Sequence, residues 1–148
     1  DKFDTANDFI VLDKPIVLAN GYDNGVAYTK VISDKTHIFK TDKNVNLTII
    51  KPFNDGFVLA GEIMNDTGNA LIVYTDKNFK PIWIRDIDLG VEENVEYLKI
   101  KDNKIIATII SQNYTGMENS WDIEIDKDGK IITKSKNFEI EDIPTKFK

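Results

Sequence analysis

Residues 55–88 read DGFVLAGEIMNDTGNALIVYTDKNFKPIWIRDID, and this stretch decides the fold. Its three apolar runs, GFVLAGEI, ALIVYT and IWIRDID, each have the length of one strand and are rich in β-branched and aromatic residues. The segments between them, NDTGN and DKNFKP, carry the Asn, Asp, Gly and Pro residues that favour turns. Apolar residues do not recur at helical spacing over three turns. The stretch therefore predicts three strands joined in a β-meander.

The rest of the chain also consists of strand-length apolar runs separated by turn residues. Asn24 and Gly25 separate two such runs, and an Asn-Gly pair is a strong hairpin signal. Trp121, Ile123 and Ile125 alternate with acidic residues, which predicts a strand with one buried side. The sequence therefore predicts an all-β fold of roughly ten to twelve antiparallel strands.

The chain of 148 residues is long enough for one domain with its own core. We expect a single domain over residues 1–148. Residues 1–7 are polar, and chain termini are poorly ordered unless contacts hold them, so we expect this stretch to form a flexible arm.

Two sequence anchors recur with a period of roughly 40–50 residues. The small residues that close an apolar run are Ala19, Ala60 and Ala107. The aspartates that open an Asp-Lys turn after an apolar run are Asp34, Asp76 and Asp126. The period is that of a four-stranded propeller blade, and it predicts internal repeats near residues 9–52, 53–100 and 101–148.

The second repeat shows the pattern most fully. Residues 55–61 read DGFVLAG, Asp76 ends the next apolar strand, and Trp83 lies in the strand after it. The third repeat keeps Trp121 and an Asp-Gly pair that ends at Gly129. Over residues 54–134 this pattern resembles the blades of bacterial β-propeller repeat proteins. The resemblance implies blade-like four-stranded units and a secreted or envelope-attached protein, and it implies no particular activity.

The number of repeats leaves the architecture open. A closed propeller has four to eight blades, whereas this chain holds about three. The chain could be a fragment of a longer protein, copies could associate to complete a ring, or the strands could pack as two sheets. We therefore expect a β-propeller-like array, with a β-sandwich as the alternative.

Composition excludes several classes of function. The net charge is −6 and Arg85 is the only arginine, which argues against nucleic-acid binding. Cysteine is absent, so disulfides and thiolate chemistry are excluded, and no apolar run is long enough for a transmembrane segment. The first residue is Asp1 rather than Met, which fits removal of a secretory or lipoprotein leader and also fits a boundary introduced by cloning. Together with the resemblance, this leads us to expect an extracytoplasmic location.

Catalytic constituents are missing. His37 is the only histidine and lies in a predicted strand, so a structural role is expected for it. The sequence contains neither a nucleophile elbow nor a glycine-rich phosphate loop. We predict that the protein is not an enzyme and binds no cofactor.

Ligand contacts, where they exist, are expected in the loops rich in Asn, Asp and Gly. The candidate binding residues are Tyr22, Asp23, Asn24, Asn65, Asp66, Asn69, Phe79, Asn113 and Tyr114. The three aromatic residues of this set lie in or beside turns, so we expect them to be exposed, whereas Trp83 and Trp121 are expected in the core. The acidic residues at 86–96 are expected to form a solvated connection rather than a cation site. Residues 126–129 are expected to form a hairpin turn rather than a calcium loop.

The sequence thus favours a non-catalytic, extracytoplasmic structural or interaction domain that can self-assemble. Its expected partners are another protein or a second copy of the chain. The alternative is a carbohydrate- or calcium-binding module that uses the Asn/Asp/Gly-rich loops.

Overall fold

The computed structural model describes residues 5–64 and 66–140, with side chains for all of these except residues 137–140. None of these residues forms a helix that is long and apolar enough to cross a membrane. The strands are β1 (Thr5–Val11), β2 (Pro15–Asp23), β3 (Val26–Ile32), β4 (Thr36–Phe39), β5 (Asn44–Phe53), β6 (Gly56–Met64), β7 (Gly68–Thr75), β8 (Pro81–Ile87), β9 (Glu92–Lys101), β10 (Lys104–Gln112), β11 (Glu118–Ile125) and β12 (Ile131–Ile140).

The strands follow one another in three antiparallel meanders. The first meander is β1–β4, the second is β5–β8 and the third is β9–β12. One parallel bridge between Gly68 and Glu92 joins the second and third meanders into an eight-stranded sheet, while the first is a separate four-stranded sheet. The meander predicted over residues 55–88 is confirmed as β6, β7 and β8.

The second meander lies between the other two, and both of its faces are covered. One face packs against the first meander through buried side chains that include Leu18, Val31, Leu47, Ile50 and Leu59. The opposite face packs against the third meander through buried side chains that include Val58, Ile72, Trp83, Leu98 and Ile123. Alternating side chains of β6 and β7 thus enter two different cores, which explains why both strands are apolar on both faces.

The all-β prediction is confirmed, and the propeller prediction is corrected. The described strands form a four-stranded and an eight-stranded sheet, in an arrangement closer to a sandwich than to a propeller, and they close neither a barrel nor a ring. A period of about 40–50 residues gives the length of a four-stranded unit, and that length is the same for stacked layers and for radial blades.

The element boundaries also differ from the expected ones. β1 begins at Thr5 and pairs with Ala19 and Asn20, so it includes part of the stretch expected to be an arm. Residues 1–4 and 141–148 lie outside the described part of the chain. The second and third meanders begin one strand earlier than the predicted repeats, at β5 and β9.

The recurring Asp-Lys anchor corresponds to a defined turn between the last two strands of the second and third meanders. Asp76 Oδ1 accepts hydrogen bonds from the backbone N–H groups of Asn78 (2.8 Å) and Lys80 (3.0 Å). Asp126 Oδ1 does the same for the residues two and four positions later, at 2.9 Å each. The aspartate recurs because its carboxylate satisfies backbone donors that the turn leaves unpaired.

The fourth residue of each turn contacts the preceding meander. It is Phe79 in the second meander and Gly129 in the third, and both have left-handed backbone, with φ of 63° and 81°. Phe79 lies against the small ring of His37, with centroids 5.0 Å apart. Gly129 lies beneath the large ring of Trp83, where a Cβ atom would come within 2.8 Å of the ring. In one contact a large turn residue meets a small ring, and in the other a turn glycine meets a large ring, so the combined size of the two partners is similar.

This contact predicts a large difference between two glycines of equal backbone conformation. Gly116 has φ of +80°, and a Cβ atom added there would meet no atom of the described residues within 4 Å. Gly129 has φ of +81° and is packed against Trp83 and Arg85. Gly116→Ala should lower the free energy of unfolding by about 1 kcal/mol, the cost of left-handed backbone alone. Gly129→Ala should lower it by about 3 kcal/mol or more because steric overlap is added. Urea denaturation measures both, and equal losses would contradict the packing described.

Candidate functional site

Three hairpins lie at the same end of the stacked meanders: those joining β2 to β3, β6 to β7 and β10 to β11. β7 and β9 run parallel, which places the start of β7 beside the start of β9 and the end of β10. The backbone N–H of Ala27, at the start of β3, donates to Asn44 Oδ1 at the start of β5 (2.8 Å). We call this region the hairpin end.

The hairpin end contains most of the residues predicted for ligand binding. They are Tyr22, Asp23, Asn24, Asp66, Asn69, Asn113 and Tyr114. Asn65 belongs to the predicted set as well, but it lies outside the described residues. Phe79 lies in the β7–β8 turn at the opposite end and is only 6% exposed, so its predicted exposure is wrong. Its ring turns inward and stacks on Phe57 with centroids 4.7 Å apart.

The polar members of this set mainly hold the hairpins in shape. Asp23 forms an ion pair with Lys40, and Asn69 Nδ2 donates to Asp86 Oδ1 (2.7 Å). Asn113 Oδ1 accepts hydrogen bonds from two backbone N–H groups of its own turn. The aromatic members are different, because Tyr22 is 58% and Tyr114 is 94% exposed. The tyrosines are therefore the predicted residues best placed to meet a ligand.

A concentration of glutamates, three of them from the acidic run at residues 86–96, also lies at this end. They line a pocket of about 240 Å³ between β6 of the second meander and β9–β11 of the third. The lining glutamates are Glu62, Glu92, Glu93, Glu96 and Glu118. Asn94, Ile110 and Gln112 complete the wall. We call this the acidic pocket.

Glu93 is the buried member of the acidic pocket. It is 2% exposed, and the backbone N–H groups of Leu89 and Gly90 are the donors nearest to its carboxylate. Burial raises the pKa of the Glu93 carboxyl above its ordinary value of 4.5, and the negative charges of Asp88 and Asp86 raise it further. The backbone N–H groups of Leu89 and Gly90 oppose this increase. A buried carboxyl group with a raised pKa is found at functional sites and also in purely structural positions.

The expectation of a solvated connection is wrong for Glu93. β9 begins at Glu92, so the acidic run enters the sheet, and alternation places Glu93 on the same inner face as Val95. The signal was present in the spacing, because Val91, Glu93 and Val95 alternate with polar residues. The alternation is hard to recognise in the sequence because several neighbouring residues are also acidic.

A chain of hydrogen bonds connects the first meander to the acidic pocket. Thr29 Oγ1 donates to Asn20 Oδ1 (2.7 Å), and Asn20 Nδ2 donates to Asn46 Oδ1. Asn46 Nδ2 in turn donates to Glu62 Oε1 (3.3 Å). One lining carboxylate is therefore positioned by residues from two meanders.

No group of three or more His, Cys, Asp or Glu side chains is arranged to hold a metal ion in the described part of the chain. Residues 126–129 are expected to form a hairpin turn rather than a calcium loop. Asp126 Oδ1 accepts hydrogen bonds from two backbone N–H groups of this turn. That oxygen stabilises the turn itself.

Comparison with known proteins does not assign this chain to a family. No protein-family model matches this sequence, and no curated protein matches it significantly. The function must therefore be argued from the residues and their geometry.

The raised pKa of Glu93 predicts a pH-dependent cost to stability. Because the folded state holds the proton more tightly than the unfolded state, the free energy of unfolding falls as the pH rises from about 4.5 through the folded pKa. Glu93→Gln removes the ionisable group and should stabilise the protein by about 1–2 kcal/mol at neutral pH. The gain should disappear below about pH 4.5.

Urea denaturation across this pH range measures the effect. Glu96→Gln is the control, because Glu96 is an exposed residue of the same strand and its replacement should change stability by less than about 0.5 kcal/mol. A loss of stability in Glu93→Gln at neutral pH would contradict the raised pKa of this carboxyl group.

Proposed function

We propose that this chain is a non-catalytic interaction domain that assembles head to tail with a second copy of itself. The observation that carries this proposal is the apolar outer face of the first meander, which is the face turned away from the second meander. The side chains exposed there include Phe9 (67% exposed), Val11, Ile32 and Ile38 (60% exposed).

These residues form a continuous surface. Phe9 pairs with Val17, and Val17 pairs with Ile32, so the three side chains make one row across β1, β2 and β3. Ile38 on β4 lies on the same face, opposite Lys30. Single exposed hydrophobic side chains are common, but a contiguous apolar face on a sheet is typical of an interface.

The occupant is suggested by the way the meanders pack on one another. β5 contacts β1, β2 and β3, and β9 contacts β5, β6 and β7 in the same relation. Each later meander therefore lays its first strand across the first three strands of the meander before it. A second copy would continue this relation if its third meander covered the first meander of this chain.

The outer face of the third meander has features that fit such a contact. Ile106 and Ile110 on β10 are partly exposed there. Thr108 Oγ1 donates to Asp122 Oδ1 (2.7 Å), and the two residues are direct partners on β10 and β11. The equivalent strands of the first meander carry the Asn20–Thr29 pair, whose hydroxyl accepts a hydrogen bond from the Leu47 N–H of β5. The Thr108–Asp122 pair is thus suited to accept donors from the edge of an arriving β1.

Two copies would contribute three meanders each, and six meanders fall within the four to eight blades of closed propellers. The resulting dimer would contain two identical contacts, each between unlike faces. The blade-like arrangement suggested by the sequence is in this proposal a property of the assembly. The non-catalytic character is supported by the absence of cysteine and by the packing of the single histidine, His37, against Phe79.

Light scattering tests the assembly directly. We expect a mass of about twice the 16.9 kDa of one chain at micromolar concentration. Phe9→Glu and Ile106→Lys should each weaken the dimer at least about a hundredfold, because each places a charge in an apolar contact. Ile82 is an exposed residue of β8 outside the proposed contact, so Ile82→Glu should leave the mass unchanged.

Mixing the two interface variants separates head-to-tail assembly from other arrangements. A dimer of one Phe9→Glu chain and one Ile106→Lys chain has one unaltered contact and one contact with opposite charges, so it should form again. Failure of the mixture to dimerise, or a wild-type chain that stays monomeric, would refute the proposal.

A second candidate function, carbohydrate binding, is favoured by the exposed Tyr22 and Tyr114 rings at the hairpin end. Aromatic faces flanked by polar side chains are common in ligand sites. Glycan-array binding that Tyr114→Ala abolishes would support this function. No response in the array would exclude it, and a thermal shift with calcium alone would instead favour the metal-binding alternative. The extracytoplasmic location stays a prediction.

A further inference from the structure

We propose that the β2–β3 hairpin carries a site of spontaneous covalent modification, at which the Asn24 side chain is converted to aspartate and isoaspartate. Water is the only co-reactant that the conversion needs. The site is complete within one chain, so this proposal does not depend on self-assembly.

The reaction begins with attack of the Gly25 backbone nitrogen on Cγ of Asn24. A bond forms between these two atoms, the bond from Cγ to the side-chain nitrogen breaks, and that nitrogen leaves as ammonia with the proton of the Gly25 amide. The product is a five-membered succinimide ring. Water then opens the ring at either carbonyl group, which leaves aspartate or, where the backbone continues through the side chain, isoaspartate. No atom is oxidised or reduced, and one negative charge is gained.

The environment of the hairpin loop favours this attack. Glycine has no Cβ atom to obstruct the approach to its nitrogen, and a Cβ atom added at Gly25 would meet no other part of the described chain within 4 Å. Asn24 is exposed, and its side chain has no hydrogen-bond partner among the described residues. Asp23 and Val26 are the last pair of the β2–β3 ladder, so the two loop residues lie outside it. The reacting groups are therefore free to move and open to water.

Two other hairpins have the same backbone without the glycine. Asn24 has φ of 50°, and the exposed Asn54 and Asn103 have φ of 48° and 59° in the loops β5–β6 and β9–β10. Asp55 follows the first of these and Lys104 follows the second. Ring closure rotates the asparagine backbone away from its turn conformation, so each loop must open before it reacts. A difference in rate among the three loops therefore isolates the effect of the residue that follows the asparagine.

The second Asn-Gly pair of the sequence, Asn20-Gly21, lies in the protected interior of the first meander. Asn20 is 8% exposed in β2, which pairs with strands on both sides. Its Oδ1 accepts a hydrogen bond from Thr29 Oγ1 (2.7 Å), and its Nδ2 donates to Asn46 Oδ1. Movement of its Cγ toward the next backbone nitrogen breaks these bonds and opens a central strand. Such an opening costs more free energy than the opening of an exposed loop. The same dipeptide therefore has two different fates in one chain.

The modification changes both charge and loop geometry at the hairpin end. Asp23 forms an ion pair with Lys40, and a carboxylate at residue 24 places a second negative charge beside that pair. Isoaspartate also adds one carbon atom to the backbone of a two-residue loop, whose conformation depends on its length. Ageing of the protein therefore alters the surface next to the exposed ring of Tyr22.

Incubation of the folded protein at mildly alkaline pH and physiological temperature tests the proposal. Anion-exchange chromatography detects the added charge, and peptide mapping by mass spectrometry, with digestion at acidic pH to halt the reaction, locates it. We expect an acidic form to accumulate with isoaspartate and aspartate at residue 24. Asn24 should react at least about tenfold faster than each of Asn20, Asn54 and Asn103.

Two variants and one change of solvent serve as controls. Asn24→Gly keeps a loop that accepts left-handed backbone and removes the carboxamide, so it should abolish the modification at this loop. Gly25→Ala keeps the asparagine and places a methyl group beside the attacking nitrogen, so it should slow the reaction at least about tenfold. In urea, Asn20 should react about as fast as Asn24, because its protection comes from the folded structure.

Three results would overturn the proposal: no acidic form in the folded protein, an acidic form that persists unchanged in Asn24→Gly, or equal rates for Asn20 and Asn24 in the folded state. If Gly25→Ala fails to fold by circular dichroism, the comparison with Asn54 and Asn103 within the wild-type chain tests the same effect of the glycine.

Discussion

The backbone of β5 is the edge of the second meander, and side chains of the first meander satisfy its donors. Leu47 N–H donates to Thr29 Oγ1 (2.9 Å), and Ile50 N–H donates to Asp8 Oδ2 (3.0 Å). An unpaired strand edge is otherwise an aggregation hazard and a cost in buried polar groups. Because these bonds run from an edge to a face, they fix the second meander across the first rather than beside it. The stacking of the second meander on the first, and the core between these two meanders, follow from this contact.

The acidic pocket lies where the apolar packing between the second and third meanders ends. The inner face of β9, β10 and β11 is apolar along most of its length, but its last row at the hairpin end consists of Glu93, Ser111 and Asn119. Ser111 Oγ accepts a hydrogen bond from Trp121 Nε1 (3.1 Å), and the carboxylate of Glu93 lies near the backbone N–H groups of Leu89 and Gly90. The amide oxygen of Asn119 accepts no hydrogen bond from the described residues. A core that ends in buried polar side chains is less stable there than one that is apolar throughout.

The sequence predicted the strands well because alternation and turn residues are local properties, as at Trp121–Ile123–Ile125 and at Asn24-Gly25. It could not predict how the three meanders stack on one another, because a repeat period gives the length of a unit and does not say which units pack together. Phe79 shows the same limit: a phenylalanine in a turn is expected to be exposed, and the ring that covers it comes from another layer. Glu93 was missed because its burial depends on the register of a strand that acidic neighbours obscured.

The two interfaces between meanders solve the same edge problem by different means. In the first, the Asn20–Thr29 pair on the facing strands supplies polar side chains to the edge of β5. In the second, the facing strands are β6 and β7, and their paired residues Ala60 and Ile72 are apolar. The backbone bridge between Gly68 and Glu92 connects β9 to β7 instead. Apolar residues suffice where the backbone itself makes the connection. A polar pair on these strands therefore indicates a face that receives a strand edge through side chains, and the partly exposed Thr108–Asp122 pair of the third meander has that character.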